Sequence, residues 1–222
     1  MMAVYRRSKT VISELPEEIN ERILERLPTR DAARCALLST QWRDAWYRQG
    51  RLVFDSAFYS SIQNRNDDDL SVVSIINQIL MLRAGPVKKF TFHDCTSFEP
   101  PLKQSDLDRW CLFLSRNGIE ELHLSMKHSR SEEIKVPSCL LSSKTIKQLE
   151  LEYFVFYLPV NGACIFPGLT SLDFRFVEFR GNDKELVFSM PKLERLEFLV
   201  CYCTPKFVTS APKLKSLCIY DY

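Results

Sequence analysis

The 222-residue chain predicts an α/β fold: three short N-terminal helices followed by a solenoid whose short strands line up in one parallel sheet. Three observations carry that prediction. The stretch from Leu15 to Trp46, LPEEINERILERLPTRDAARCALLSTQWRDAW, holds three helical patterns. It also holds more large apolar side chains than about forty residues bury in themselves. An apolar i, i+3, i+5 pattern then recurs six times, as Val87/Phe90/Phe92, Ile119/Leu122/Leu124, Ile146/Leu149/Leu151, Leu169/Leu172/Phe174, Leu193/Leu196/Phe198 and Leu214/Leu217/Ile219. Its central residues are 32, 27, 23, 24 and 21 positions apart, and three segments share a lead-in: FPGLTSL, MPKLERL and APKLKSL.

Taken in order, residues 1–12 carry Arg6, Arg7 and Lys9 and predict a flexible tail. The first helix is expected from about Pro16 to Leu27. Proline is tolerated in a first turn, where its missing N–H had no partner. Glu17, Glu18 and Glu21 favour the positive end of the helix dipole. Ile19, Ile23, Leu24 and Leu27 share one apolar face. Pro28 stops this helix. Thr29 is the expected N-cap of a second helix to about Leu38, and Ser39 or Thr40 that of a third carrying Trp42 and Trp46. The polar stretch 55–69, DSAFYSSIQNRNDDD, predicts a linker. LSVVSIINQILMLRAG predicts a helix capped by Asp68 or Asp69, with Val72, Ile75, Ile76, Ile79, Leu80 and Leu82 inward and Gly85-Pro86 as its end.

The six segments that follow have the L-x-x-L-x-L period of leucine-rich repeats. In each, the i+3 and i+5 residues flank one that points to the opposite face of a strand. Stacked in parallel, such strands enclose one continuous core. Residues 70–222 are therefore assigned to the repeats. Ser105 to Asn117 predicts an intervening helix with Leu107, Trp110, Cys111 and Leu114 inward and Gly118 as its stop. Spacings of 21 to 24 leave no room for long helices, so the later repeats are expected to be loop-rich. The middle residues Thr91, His123, Glu150, Asp173, Glu197 and Cys218 are expected on the concave side, the candidate face for a substrate protein. The aromatic zone around Tyr153, Phe156, Phe174 and Phe179 reads first as core filling and second as binding surface. The chain stops inside a repeat strand with no polar cap, which suggests a short or truncated form.

Composition and motifs narrow the function. The formal net charge is +2, which makes no general case for nucleic acid or a membrane surface. No run approaches the roughly 18 apolar residues of a membrane span. Eight cysteines occur without a CxxC pair, mostly inside apolar patterns, and His93, His123 and His128 are not spaced for zinc. Reduced, buried cysteines in a cytoplasmic or nuclear protein are expected. Phosphate-binding glycine loops, GxSxG and HExxH are absent. His93-Asp94-Cys95 is not taken as a nucleophile pair. Cys201 and Cys203 would share a strand face, but they lack partners for a metal or redox site. The expectation is a binding protein with no catalytic residues, cofactor or metal.

Residues 13–54 resemble an F-box. The resemblance rests on Leu15-Pro16, Ile23-Leu24, Leu27-Pro28, Asp31, Leu37-Leu38-Ser39-Thr40, Trp42-Arg43 and Trp46. One departure is Gln41, where members usually carry Lys or Arg, at a position expected to be exposed. The order of elements resembles plant F-box/leucine-rich-repeat proteins over nearly the whole chain. The resemblance implies binding to the Skp adaptor of an SCF ubiquitin ligase, and through it to a cullin. It implies that Leu15, Pro16, Ile19, Ile23, Leu24, Leu27, Pro28, Leu37, Leu38, Trp42 and Trp46 form the adaptor-facing surface or its immediate support. A repeat scaffold with no ligase role is the alternative.

Overall fold

A computed structural model describes residues 15–63, 71–94, 102–127, 133–157, 163–181, 185–203 and 206–221. The expected tail and the Asp68 or Asp69 cap lie outside them. Helix α1 spans Glu17–Arg26, α2 Thr29–Cys35 and α3 Thr40–Arg48. Ser39 caps α3 as expected, its hydroxyl accepting from the Trp42 N–H at 3.3 Å. Thr29 departs from expectation. It is the first residue of α2 rather than its cap, which is Pro28. Its hydroxyl is used elsewhere, accepting from the Val53 N–H at 2.7 Å.

That contact exposes the main difference from the sequence reading. Arg51–Phe54 is a strand, β1, and it begins the parallel sheet. The other members are β2 (Lys89–His93), β3 (Glu121–Ser125), β4 (Gln148–Glu152), β7 (Ser171–Arg175), β10 (Arg195–Leu199) and β13 (Ser216–Tyr220), giving seven strands in the order β1-β2-β3-β4-β7-β10-β13. Leu52 pairs with Phe90 and Phe54 with Phe92, and the Gly50 carbonyl accepts from the N–H groups of Lys88 and Lys89. Residues 49, 52 and 54 follow the i, i+3, i+5 spacing, but the first of them is polar. Gln49 is buried, and its side-chain amide donates to the Leu24 carbonyl at 2.9 Å, near the end of α1.

The expected linker holds helix α4, Ser56–Gln63. Asp55 caps it through the Phe58 N–H, and buried Tyr59 donates its hydroxyl to the Phe54 carbonyl. Two aromatic anchors outweigh the polarity of this stretch. Helix α5, Val72–Met81, is capped by Ser71, and Leu82 is exposed rather than inward. Helix α6, Gln104–Arg116, buries Leu107, Trp110, Cys111 and Leu114 as expected, and Gly118 follows it at φ +76. A single turn, α7, covers Ser138–Leu141.

The later repeats are strand-rich, not loop-rich. Strands β5 (Val155–Tyr157), β8 (Glu178–Arg180) and β11 (Tyr202–Cys203) form one short parallel sheet. Strands β6 (Ala163–Cys164), β9 (Glu185–Ser189) and β12 (Lys206–Ser210) form another. Short strands fit a repeat of this length where helices do not. Between them and the main sheet lies an aromatic core: Phe156, Phe174, Phe179 and Phe198 meet with centroids 5.1 to 6.2 Å apart. The residue after each of three strands is left-handed: Tyr153 (φ 58), Phe176 (φ 51) and Val200 (φ 48). Each such conformation costs about 1 kcal/mol or more outside glycine. It is offset by an N–H bond to the last residue of the next strand, as from Tyr153 to the Arg175 carbonyl. The Tyr153 and Phe176 rings also stack at 4.7 Å.

Two substitutions test these joints. Thr29→Val keeps the shape but leaves the Val53 N–H unpaired, and should lower urea-unfolding stability by about 1–3 kcal/mol. A Cβ on Gly168 would lie 2.3 Å from the Lys144 carbonyl oxygen, so Gly168→Ala should cost at least about 1–3 kcal/mol in the same measurement.

Candidate protein-interaction surfaces

The helical module sorts its apolar residues by exposure. Leu37 is 87% exposed and Leu38 65%, with Ile19 and Ile23 also exposed. Pro16 and Pro28 are exposed, and Leu15 and Leu27 are half-buried. Gln41 joins these segments: its amide donates to the Leu15 carbonyl at 2.8 Å, tying the first turn of α3 to the residues just before α1. Gln41 is therefore half-buried and structural, not exposed as expected. Leu24, Trp42 and Trp46 fall on the supporting side of the expected set. They are buried in the chain's own core and present nothing to a partner.

That core runs without a break from Leu24 to Leu196. Arg83, which the sequence reading missed, clamps its helical end. Its guanidinium lies 4.3 Å from the Trp46 ring centroid. It donates to the Trp46 carbonyl at 2.7 Å and to the Ile79 carbonyl at 3.0 Å. Burial pushes its pKa down to about 10, still well above neutral. On the other side of α3, Arg48 pairs with Glu17 and Glu21.

The second surface is the strand face opposite the core. Strand register places Thr91, His123, Glu150, Asp173, Glu197 and Cys218 in one row. The row is not uniform, since Thr91 is buried. Its middle is an ion network: His123 Nδ1 lies 2.9 Å from Glu150, Arg175 bonds Glu150 at 3.2 Å, and Arg175 holds Asp173 at 2.7 Å. Arg175 stands two residues beyond Asp173 and so shares its face. Its neighbours Ser125 and Glu152, hydrogen-bonded at 2.6 Å, extend that second row. The sequence reading took one residue per strand and missed this row, although period-2 alternation supplies it. The His123 hydrogen bond first, then the Arg175 charge, hold the Glu150 carboxyl below its ordinary value of 4.5.

No group of three or more His, Cys, Asp or Glu is placed to hold a metal among the described residues. Cys201 packs its sulfur 3.3 Å from the Phe174 carbonyl; the Cys203 side chain and Cys95 lie outside those described. None of the described helices is long and apolar enough to cross a membrane.

Fold and surfaces together define a repeat protein: a parallel-stranded solenoid closed at its first strand by a helical module with exposed leucines. Comparison with known proteins names both parts. Residues 12–54 match the F-box domain, and residues 79–220 match the At1g61320/AtMIF1 LRR domain. Among similar proteins of Arabidopsis thaliana, F-box/FBD/LRR-repeat protein At1g13570 is 41% identical over 65% of this chain and 33% of its own length. F-box/LRR-repeat protein At3g59200 is 31% identical over 65% of this chain and 27% of its own. F-box protein At4g09920 is 27% identical over 93% of this chain and 64% of its own. The chain thus spans from about a quarter to two thirds of the length of these relatives. No solved structure matches significantly. The chain belongs to the plant F-box/leucine-rich-repeat family.

Three outcomes follow from the burial and charge pattern. Leu24→Ala should destabilise the fold by about 2–5 kcal/mol. Leu37→Ser should stay within about 0.5 kcal/mol of the parent in urea unfolding. Because the folded pKa of Glu150 is depressed, its contribution to stability is present above 4.5 and lost as pH falls through the lower folded value. Glu150→Gln should therefore reduce the drop in stability between neutral and acidic pH, read by chemical unfolding at each.

Proposed function

We propose that this chain is the substrate-recruiting subunit of an SCF-type ubiquitin ligase. The F-box holds a Skp-type adaptor, and through it a cullin, while the repeats recruit a protein substrate. The observation that carries this reading is the pair of exposed leucines, Leu37 and Leu38, in a segment matching the F-box. With Pro16, Ile19, Ile23 and Pro28 they form the contact surface. Leu15 and Leu27 sit at its edge, and Leu24, Trp42 and Trp46 support it from within. Exposed apolar area of this kind marks a protein-binding site.

The function is adaptation rather than catalysis. Holding a substrate beside a ligase raises its effective concentration toward the millimolar range without a residue here touching ubiquitin. The substrate meets the face carrying His123, Glu150, Asp173, Arg175 and Glu197. Mixed charge there suits a protein surface better than a phosphate backbone. No cofactor is required, neither nucleic acid nor membrane is a partner, and the site of action is the cytoplasm, the nucleus or both.

Binding of the full chain to purified Skp-type adaptor tests the reading. The full chain is needed because Leu52 and Phe54 belong to the core shared with the repeats. Leu37→Ser/Leu38→Ser should weaken binding at least about 30-fold, since each buried interface leucine contributes about 1–2 kcal/mol. Its circular dichroism should match the parent. Equal affinity for both proteins, or no binding by the parent, would refute the assignment and leave a repeat scaffold.

A further inference from the structure

The apolar face of the F-box adjoins an arginine-lined cleft that the adaptor reading touches only at Pro28. Ile19, Arg22, Ile23 and Arg26 fall at i, i+3, i+4 and i+7 of α1, so two arginines share the face of the exposed isoleucines. Of the four acids of α1, Glu17 and Glu21 pair with Arg48, and Glu18 and Glu25 form no ion pair with these arginines among the described residues. Arg22, Arg26 and Arg30 form no ion pair among the described residues.

Arg26 and Arg30, one at the end of α1 and the other at the start of α2, open onto a cleft of about 350 Å³. Arg51 of β1 lines it too, fixed there by donation to the Glu25 and Leu27 carbonyls at 3.3 and 3.5 Å. Two carboxylates also border the cleft, and both are engaged. Asp55 caps α4 through the Phe58 N–H at 3.0 Å, and Asp31 faces Arg34 at 3.9 Å. Three guanidinium groups and two carboxylates therefore border the concave site, and none of the three guanidinium groups is ion-paired among the described residues. Guanidinium pairs with carboxylate through two parallel hydrogen bonds, which gives direction as well as attraction.

We propose that this cleft receives an acidic segment of the adaptor, with carboxylates against Arg26, Arg30 and Arg51. The inference rests on the adaptor reading above and adds the chemistry of its partner: an apolar patch beside clustered Asp or Glu. Isoleucines and leucines hold the complex, and the arginines steer the approach and fix the orientation. Opposite charge across an interface acts mainly on the association rate.

The test measures association and dissociation rates of the full chain with purified Skp-type adaptor across a range of sodium chloride concentrations. The parent should associate about tenfold more slowly at high salt than at low. Arg26→Glu/Arg30→Glu should associate about tenfold more slowly than the parent at low salt and lose most of the salt dependence, with dissociation much less affected. Arg26→Lys/Arg30→Lys keeps the charge, controls for folding, and should retain the steering. Binding with the same rates and salt response in the parent and the Glu variant overturns the cleft proposal and leaves the adaptor reading intact. No binding by the parent overturns both. If inorganic phosphate alone raises the thermal midpoint of the parent but not of the Glu variant, the cleft is a phosphate site and the carboxylate assignment falls.

Discussion

Strand β1 is the constraint on which the rest of this structure depends. Four residues satisfy two neighbours at once. On one edge, Val53 gives its N–H to the Thr29 hydroxyl and Arg51 caps the carbonyls at the end of α1. On the other, the strand pairs with β2, while Leu52 and Phe54 enter the repeat core. An unpaired strand edge invites pairing with another chain. Here the helical module covers that edge, so it serves the repeats as their first cap. A domain boundary drawn from motifs alone, at residue 54, would part this strand from the sheet it begins.

The repeats behind β1 are built on strict register and pay for it in backbone strain. Each strand aligns residue by residue with the next, so inward side chains stack on inward and polar on polar. To turn the chain after a strand, Tyr153, Phe176 and Val200 take conformations that glycine or asparagine would adopt more easily. The same turns stack two aromatic rings at the border of the polar face. Charged residues then populate that face in pairs and triples, which limits the self-repulsion of its acids.

Much of this was legible in the sequence, and the failures have physical reasons. The spacing of leucines located six of the seven strands and the inward face of α6. The seventh was hidden by Gln49, a polar side chain at a core position, which works because a carbonyl of α1 accepts its amide. The polar letters around 55–63 concealed Phe58 and Tyr59, whose burial makes a helix of a presumed linker. For the F-box, pattern identified the residues but not their direction. Trp42 and Leu37 are equally conspicuous in the sequence, yet one is core and the other surface. Exposure is decided by contacts between segments, such as that of Gln41 with Leu15, and no local period encodes those. Arg83 was missed for the same reason, since its partner Trp46 lies in a helix more than thirty residues earlier.

The continuous core makes the protein a ruler as well as a bracket. Parallel strands stand about 4.8 Å apart, so the six intervals from β1 to β13 set a length of roughly 29 Å along the sheet. Only Gln49 and Gly50 separate α3 from the first strand, so position along that length translates into distance from the F-box. Along the sheet, His123 lies about 14 Å nearer the F-box end than Glu197. On the proposed function, the strand that a substrate occupies would set its distance from the F-box.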